Sequence, residues 1–143
     1  GRTKWAGPLG RLMGEAVVKD PRFTDIDIII PVPLHEKRKK MRGYNQSELL
    51  AKEIGRRLER PVVTDCLCRV IDTPSQTGLK RQGRQENLAG AFRILTPIPE
   101  GKKVLLVDDI YTTGATVESC SRILRTGGAK SVLVVTCSAG KCQ

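Results

Sequence analysis

The 143-residue chain has no long hydrophobic run, and this absence narrows the classes of protein to which it can belong. None of its apolar stretches approaches the roughly 20 residues that a helix needs to cross a bilayer. The chain also begins without the apolar segment that is typical of a secretory signal peptide. We therefore expect no membrane span and a cytoplasmic location.

Paired cysteines and aromatic side chains are scarce as well. The five cysteines are an odd number and form no C-x-x-C pair, so the sequence indicates neither a disulfide framework nor a zinc ribbon. Most of them are interpreted as packing residues. Aromatic residues make up only 3% of the chain, which argues against a protein that stacks single-stranded nucleic acid on its surface.

Positive charge, by contrast, is abundant. The chain has 25 lysines and arginines against 15 acidic residues, a formal net charge of +10. This excess favours a polyanionic partner, but it fits a nucleic acid and a small, highly phosphorylated metabolite equally well. The positions of the charges are therefore more informative than their sum.

Apolar runs predict strands of a buried sheet. Residues 28–30, 104–107 and 131–136 show no polar alternation, as is typical of strands covered on both faces of a parallel sheet. Shorter strands are predicted at residues 66–71 and 91–95. Between these two, residues 72–90 contain turn formers and charge without a core-forming period, which indicates a long loop with a function.

Helical spacing predicts three helices, at residues 8–19, 45–58 and 113–126. In the first, we expect an apolar face that includes Leu12, Met13, Ala16 and Val17. The second opens on N-Q-S-E from Asn45, which resembles a capping box. Residues 34–43 are interpreted as a basic loop. Alternating strands and helices predict an α/β fold with a mainly parallel central sheet and flanking helices.

The run from Val104 to Thr116 reads V-L-L-V-D-D-I-Y-T-T-G-A-T, a buried strand that ends at two adjacent acids. Ligands of open parallel sheets bind at the carboxyl ends of the strands. The T-T-G that follows leads into a helix N-terminus, where free N–H groups favour a phosphate. A sugar phosphate suits this combination, because its hydroxyls can donate to the carboxylates. The simpler alternative is that Asp109 and the threonines only cap the helix.

This run closely resembles the phosphoribosyl pyrophosphate (PRPP) binding motif of the type I phosphoribosyltransferases. Two further segments, P-V-P-L-H to R-G-Y-N-Q from Pro31 and T-P-S-Q-T to G-A-F from Thr73, resemble the competence-protein ComF (GntX-like) family of that superfamily. Members of this family usually carry an N-terminal zinc ribbon, and no cysteine precedes Cys66 here, so the ribbon is expected to have been removed or lost.

The resemblance implies a type I phosphoribosyltransferase fold with a minimal hood. Residues 1–143 would form a single domain, with residues 1–20 as a helix and partial hood and residues 72–90 as a flexible loop that closes over PRPP.

The resemblance also implies roles for individual residues. Asp108 and Asp109 would bind the ribose hydroxyls and Mg²⁺, and Lys80 and Arg84 would neutralise the departing pyrophosphate, so that these four are the implied catalytic residues. The implied PRPP-binding residues are Asp108, Asp109, Tyr111, Thr112, Thr113, Gly114, Ala115 and Thr116. The implied pyrophosphate loop includes Leu34, His35, Lys37 and Arg38.

Three functions stay open at this point. The first is a Mg²⁺-dependent phosphoribosyltransferase that binds PRPP, or another phosphorylated ribose, and displaces pyrophosphate with an unidentified acceptor base. The second is a non-catalytic PRPP or nucleotide sensor. The third is a DNA-uptake accessory that binds single-stranded DNA or competence proteins.

No residue is an obvious general base, and His35, the only histidine, suits either a structural or a functional role. A dimer is a further expectation.

Overall fold

A computed structural model describes residues 3–70, 90–98, 100–109, 114–138 and 141–142. Helices and a short hairpin cover both faces of a central sheet in this part of the chain. The helices are α1 (Thr3–Lys19), α2 (Glu36–Arg42), α3 (Gln46–Leu58) and α4 (Ala115–Thr126), with a 3₁₀ turn at Pro21–Phe23. The strands are β1 (Ile28–Pro31), β2 (Leu67–Arg69), β3 (Phe92–Ile94), β4 (Lys103–Asp108), β5 (Ser131–Ser138) and β6 (Lys141–Cys142).

The central sheet has the strand order β1-β4-β5-β6. Strands β1, β4 and β5 are parallel, and β6 pairs antiparallel with β5. On the other side of β1, Ile29 makes a parallel bridge to Val62, and its N–H donates to the carbonyl of Pro61 over 3.0 Å. The predicted mainly parallel sheet is confirmed. Strand β6, after the strand predicted at residues 131–136, is an addition that the sequence pattern does not indicate.

Side chains of the central strands alternate between two hydrophobic clusters. Ile30 and Leu106 point to the side of α4 and of the hairpin formed by β2 and β3. Ile29, Leu105 and Val107 point to the side of α1 and α3. The unbroken apolar runs are explained by this arrangement, because both faces of the sheet are covered.

The buried face of α1 differs from the predicted one. Met13 and Val17 are buried as expected, but Leu12 is 59% exposed and Ala16 is exposed. The helix is therefore rotated about its axis relative to the face that the apolar residues alone predict.

Two glycines one turn apart explain this rotation. A Cβ atom added at Gly10 would collide with Cβ of Glu53 in α3, and one added at Gly14 would lie 2.9 Å from Cγ of Arg57. The two helices thus approach most closely where α1 has no side chains. Glycine at this spacing turns the interface toward positions 10, 13, 14 and 17.

The basic segment after β1 is a helix, so its interpretation as a loop is wrong. Nδ1 of His35 accepts a hydrogen bond from the N–H of Lys37 over 3.1 Å and caps the start of α2. Gly43 ends α2 with φ 81°, a left-handed conformation that glycine adopts without strain. Between these caps the run consists mainly of good helix formers, which is enough to form two turns.

Helix α3 begins at its predicted cap. The side-chain oxygen of Asn45 accepts a hydrogen bond from the N–H of Ser47 over 3.0 Å. The carboxylate of Glu48 forms ion pairs with Lys39 at 3.4 Å and with Lys52 at 3.2 Å. The Asn45 cap is thus confirmed, but Glu48 does not complete a capping box, because its carboxylate pairs with Lys52 and with Lys39 of α2 instead.

The predicted short strands pair with each other as a separate antiparallel hairpin. Arg69 in β2 is opposite Phe92 in β3, and its guanidinium carbon lies 5.3 Å from the centre of the Phe92 ring. The hairpin packs over the sheet through Leu67 and Phe92. Cys66 and Cys120 are free thiols with no exposed surface, and burial raises the pKa of each, as expected for packing residues.

In the ranges described above, no helix combines the length and the apolar character that a bilayer crossing requires.

Candidate functional site

The two adjacent acids lie at the carboxyl end of β4, the middle strand of the three parallel ones. Asp108 is the last residue of β4 and is only 9% exposed, while Asp109 follows it and is half-buried. Strand β1 ends beside it, because Pro31 is paired with Val107. The segment after β1 and the acids after β4 therefore leave the sheet at the same edge.

A set of hydrogen bonds holds the acids to the start of α3. Oδ1 of Asp108 accepts from the hydroxyl of Ser47 over 3.1 Å and from the N–H of Asp109 over 2.9 Å. That N–H also lies 3.2 Å from Oγ of Ser47. The side-chain nitrogen of Asn45, Nδ2, donates to the carbonyl of Val32, just after β1, over 3.1 Å. The ends of β1 and β4 and the N-terminus of α3 thus form one connected unit.

Burial of Asp108 changes its acidity. Desolvation, together with the nearby charge of Asp109, raises the pKa of Asp108 from 3.8 to about 7. The hydrogen bond from Ser47 acts in the opposite direction and lowers this pKa. The site can therefore gain or lose a proton near neutral pH, which is typical of groups that bind cations or polar ligands.

The implied pyrophosphate loop lies after β1. Leu34 and His35 precede α2, whereas Lys37 and Arg38 lie in its first turn. His35 is held on both sides, by its cap to Lys37 and by a parallel bridge to Arg69 of β2. The sole histidine thus has a structural role as a helix cap.

A groove of about 540 Å³ separates this segment from the hairpin. Its lining includes His35, Lys39, Asn45, Cys68 and Arg69. The predicted long loop lies outside the described residues except for Gly90. Of the residues that flank it, Val70 lines the groove and its N–H donates to the carbonyl of Ala91 over 2.7 Å. The hairpin therefore brings the base of that loop next to the implied pyrophosphate loop.

The remaining site residues are only partly described. Gly114 has φ 80° and is the N-cap of α4 without a side-chain cap bond, and Ala115 and Thr116 form the first turn. The left-handed backbone conformation at this position favours glycine over other residues. Asp109 is not the N-cap of α4, because that position belongs to Gly114, and the threonines of this alternative at positions 112 and 113 lie outside the described residues. The predicted residues Lys80, Arg84, Tyr111, Thr112 and Thr113 lie outside the described residues.

The acids suit a hard divalent cation that takes its other ligands from a substrate. Across the described residues, no group of three or more His, Cys, Asp or Glu side chains could hold a metal ion. Mg²⁺, however, is commonly bound by one or two carboxylates together with waters and substrate phosphates. Asp108 and Asp109 fit that pattern as a pair of oxygen donors.

Ser47 and Arg69 are parts of the site that the sequence pattern does not identify. Ser47 reads as an ordinary residue of a helix N-terminus, and its partner Asp108 is 61 positions away. Arg69 lies in a short strand without a motif. The packing of α3 against the sheet brings Ser47 to Asp108, and the pairing of β2 brings Arg69 beside His35.

Comparisons with known proteins agree with this geometry. The model of the phosphoribosyl transferase domain matches residues 45–143. The chain is 39% identical over 131 residues to competence protein F of Haemophilus influenzae, covering 88% of this chain and 57% of that protein. It is 36% identical over 136 residues to DNA utilization protein YhgH of Escherichia coli O157:H7, covering 93% of this chain and 60% of that protein. The chain therefore spans about 60% of the length of these relatives, and the predicted resemblance to the competence-protein family is confirmed.

Solved structures show the same fold at low identity. The glutamine PRPP amidotransferase from B. subtilis has a TM-score of 0.62 at 18% identity, covering 92% of this chain and 26% of that one. The purine phosphoribosyltransferase from Pyrococcus horikoshii has a TM-score of 0.52 at 19% identity, covering 88% of this chain and 70% of that one. With a domain match over residues 45–143 and this shared fold, the chain belongs to the phosphoribosyl transferase domain family.

Proposed function

We propose that the domain is a Mg²⁺-dependent phosphoribosyltransferase that binds PRPP at the carboxyl ends of β1 and β4. The observation that carries this proposal is the acid pair at the end of the middle parallel strand, hydrogen-bonded to Ser47 and followed by the left-handed Gly114. Carboxylates in such a position accept hydrogen bonds from the hydroxyls of a ribose, and a helix N-terminus suits its phosphate.

In this proposal, Asp108 and Asp109 accept hydrogen bonds from the ribose 2′- and 3′-hydroxyls. The segment from Tyr111 to Thr116 surrounds the 5′-phosphate. Pyrophosphate lies between the segment after β1, with Lys37 and Arg38, and the loop that carries Lys80 and Arg84. We further propose that residues 1–20 supply part of a small hood over the acceptor.

The proposed reaction is displacement of pyrophosphate at C1 of the ribose by a nitrogen of the acceptor. The bond from C1 to the pyrophosphate oxygen breaks as the bond to nitrogen forms, and positive charge develops on the sugar ring. Pyrophosphate leaves with the electron pair of the broken bond, and the proton of the acceptor nitrogen passes to pyrophosphate or to solvent. The carboxylates and the basic side chains would stabilise the separating charges by preorganised electrostatics. Mg²⁺, held by Asp108 and Asp109 together with oxygens of PRPP, would neutralise the leaving group.

Calorimetry with PRPP and Mg²⁺ tests the binding step. Replacing Asp108 and Asp109 together by asparagine removes two charge-assisted acceptors and keeps the shape of the strand end. We expect PRPP to bind at least about tenfold more weakly, since each such hydrogen bond contributes about 1.5–3 kcal/mol. The control replaces Asp65 and Glu100, two exposed acids, by asparagine and glutamine. Equal PRPP affinity in the acid-pair variant and the parent would exclude this site.

A pyrophosphate-release screen across purine and pyrimidine bases tests the chemistry. Release that requires PRPP, Mg²⁺ and one class of base would identify the acceptor. Binding of PRPP without release for any base would instead favour a sensor that has the binding site and not the reaction.

A second candidate is a DNA-handling accessory. The net charge of +10 favours it, as do the names of the relatives, which refer to competence and DNA utilization. Binding of a labelled single-stranded oligonucleotide depends on lysines and arginines, so the acid-pair variant should bind it equally or slightly more tightly. The acid-pair variant therefore distinguishes the two ligands, because it should weaken PRPP binding and leave oligonucleotide binding unchanged or slightly tighter.

A further inference from the structure

The hydroxyl of Ser47 contacts both acids of the proposed site. Ser47 is 3% exposed, and its Oγ lies 3.1 Å from Oδ1 of Asp108 and 3.2 Å from the amide nitrogen of Asp109. A serine hydroxyl has one proton to donate and lone pairs to accept. The geometry therefore gives one donated bond, to the Asp108 carboxylate, and one accepted bond, from the Asp109 amide.

Ser47 is itself held in place from two directions. Its own N–H donates to Oδ1 of Asn45 over 3.0 Å. The side-chain nitrogen of Asn45, Nδ2, donates to the carbonyl of Val32 over 3.1 Å. The N–H of Val32 donates in turn to the carbonyl of Val107, one residue before Asp108, over 2.8 Å. These bonds form a closed circuit through β1, α3 and β4, which leaves the hydroxyl little freedom to move.

We propose that Ser47 is a positioning residue that fixes the Asp108 carboxylate and the peptide between Asp108 and Asp109 in the orientation required to bind the ribose. This role deepens the proposed function and rests on it. Without the hydroxyl, the Asp108 carboxylate loses its side-chain donor and the Asp109 amide loses one of its two acceptors. Both acids could then adopt other orientations, and a site loosened in this way binds and reacts less well because orientation is lost.

A purely structural role of Ser47 is the competing explanation, because the same bonds also attach α3 to the sheet. The two explanations differ in one measurable quantity, the preference of the site for a sugar with a 2′-hydroxyl. Loss of attachment would lower stability and weaken all ligands alike. Loss of acid orientation would weaken the ligand that has the hydroxyl more than the ligand that lacks it.

The test compares ribose 5-phosphate with 2-deoxyribose 5-phosphate as competitors of PRPP, with Mg²⁺ present, in the intact chain. Ser47→Ala removes the hydroxyl, and Ser47→Cys keeps the side-chain volume with only a weak donor, in case the alanine variant folds poorly. Ser121→Ala is the matched control, a serine in α4 outside these contacts.

We expect the parent and Ser121→Ala to prefer the ribose compound by about tenfold, the factor for one good hydrogen bond. The preference should fall to about threefold or less in Ser47→Ala and Ser47→Cys. An unchanged preference in folded Ser47 variants, with normal binding by the parent, would overturn the positioning role alone. Failure of the parent to bind PRPP or either sugar phosphate would overturn the proposed function and this role together.

Discussion

Replacing Asp108 by asparagine should stabilise the protein at alkaline pH and leave its stability nearly unchanged at acidic pH. Asparagine has the shape of aspartate and presents the same oxygen to the Ser47 hydroxyl and the Asp109 amide. The substitution therefore removes a buried, ionisable group without opening a cavity. Asp108 is a suitable target because it is only 9% exposed.

The magnitude follows from the pKa of Asp108, which burial and the neighbouring charge of Asp109 together raise from 3.8 to about 7. Below about pH 4 this carboxyl is protonated in both the folded and the unfolded state and contributes no difference. Between pH 4 and pH 7 the unfolded chain loses this proton while the folded protein keeps it, so the free energy of unfolding falls as the pH rises. Above pH 7 the full penalty applies, at most about 4 kcal/mol at 1.36 kcal/mol for each pKa unit.

Urea denaturation of the parent and of Asp108→Asn at pH 4 and pH 8, with a chelator present, measures the effect. The difference between the two proteins cancels the pH dependence of all groups that they share. We expect Asp108→Asn to be more stable at pH 8 by a few kcal/mol and similar to the parent at pH 4. Asp65→Asn, at an exposed position, should stay within about 0.5 kcal/mol of the parent at both values.

Two results would refute the reasoning. An Asp108→Asn variant that is less stable than the parent at pH 8 would mean that the ionised carboxylate contributes net stability through its hydrogen bonds. The same difference at pH 4 and pH 8 would mean that Asp108 ionises in the folded protein as it does in the unfolded chain.

Four further substitutions test the packing and the backbone conformation by urea denaturation. Gly10→Ala should destabilise the protein, because the added Cβ would collide with α3. This loss is expected although alanine is the better helix former by about 1 kcal/mol. A gain in stability would contradict the close contact between the two helices. Gly43→Ala should lower the free energy of unfolding by about 1–2 kcal/mol through backbone strain alone, since φ is 81° and the space around it is open. Gly101→Ala should have the same effect for the same reason. An unchanged stability in either variant would argue against the left-handed conformation. Leu105→Ala, in the middle of β4 with no exposed surface, should cost about 2–5 kcal/mol, and a loss below 1 kcal/mol would mean that the core can close around the gap.

The sequence alone predicts the parallel sheet, the position of the acid pair at a strand end and the start of α3. These features depend on short segments: an apolar run without polar alternation, two carboxylates at its end, and Asn45, which caps α3. The sequence also contains the signals that could predict α2, since His35 and Gly43 cap this helix and both lie next to it in the chain. The basic charges of that segment obscure this local signal.

Tertiary structure decided what lies around those segments. Leu12 is exposed because Gly10 and Gly14 set the contact between two helices, and an apolar pattern does not contain the distance between them. The contact of Ser47 with Asp108 joins residues 61 positions apart, and the high pKa of Asp108 arises from burial by elements far away in the chain. Desolvation and hydrogen bonds across such separations exist only after the layers have packed, so the acidity and the orientation of the acid pair are properties of the fold.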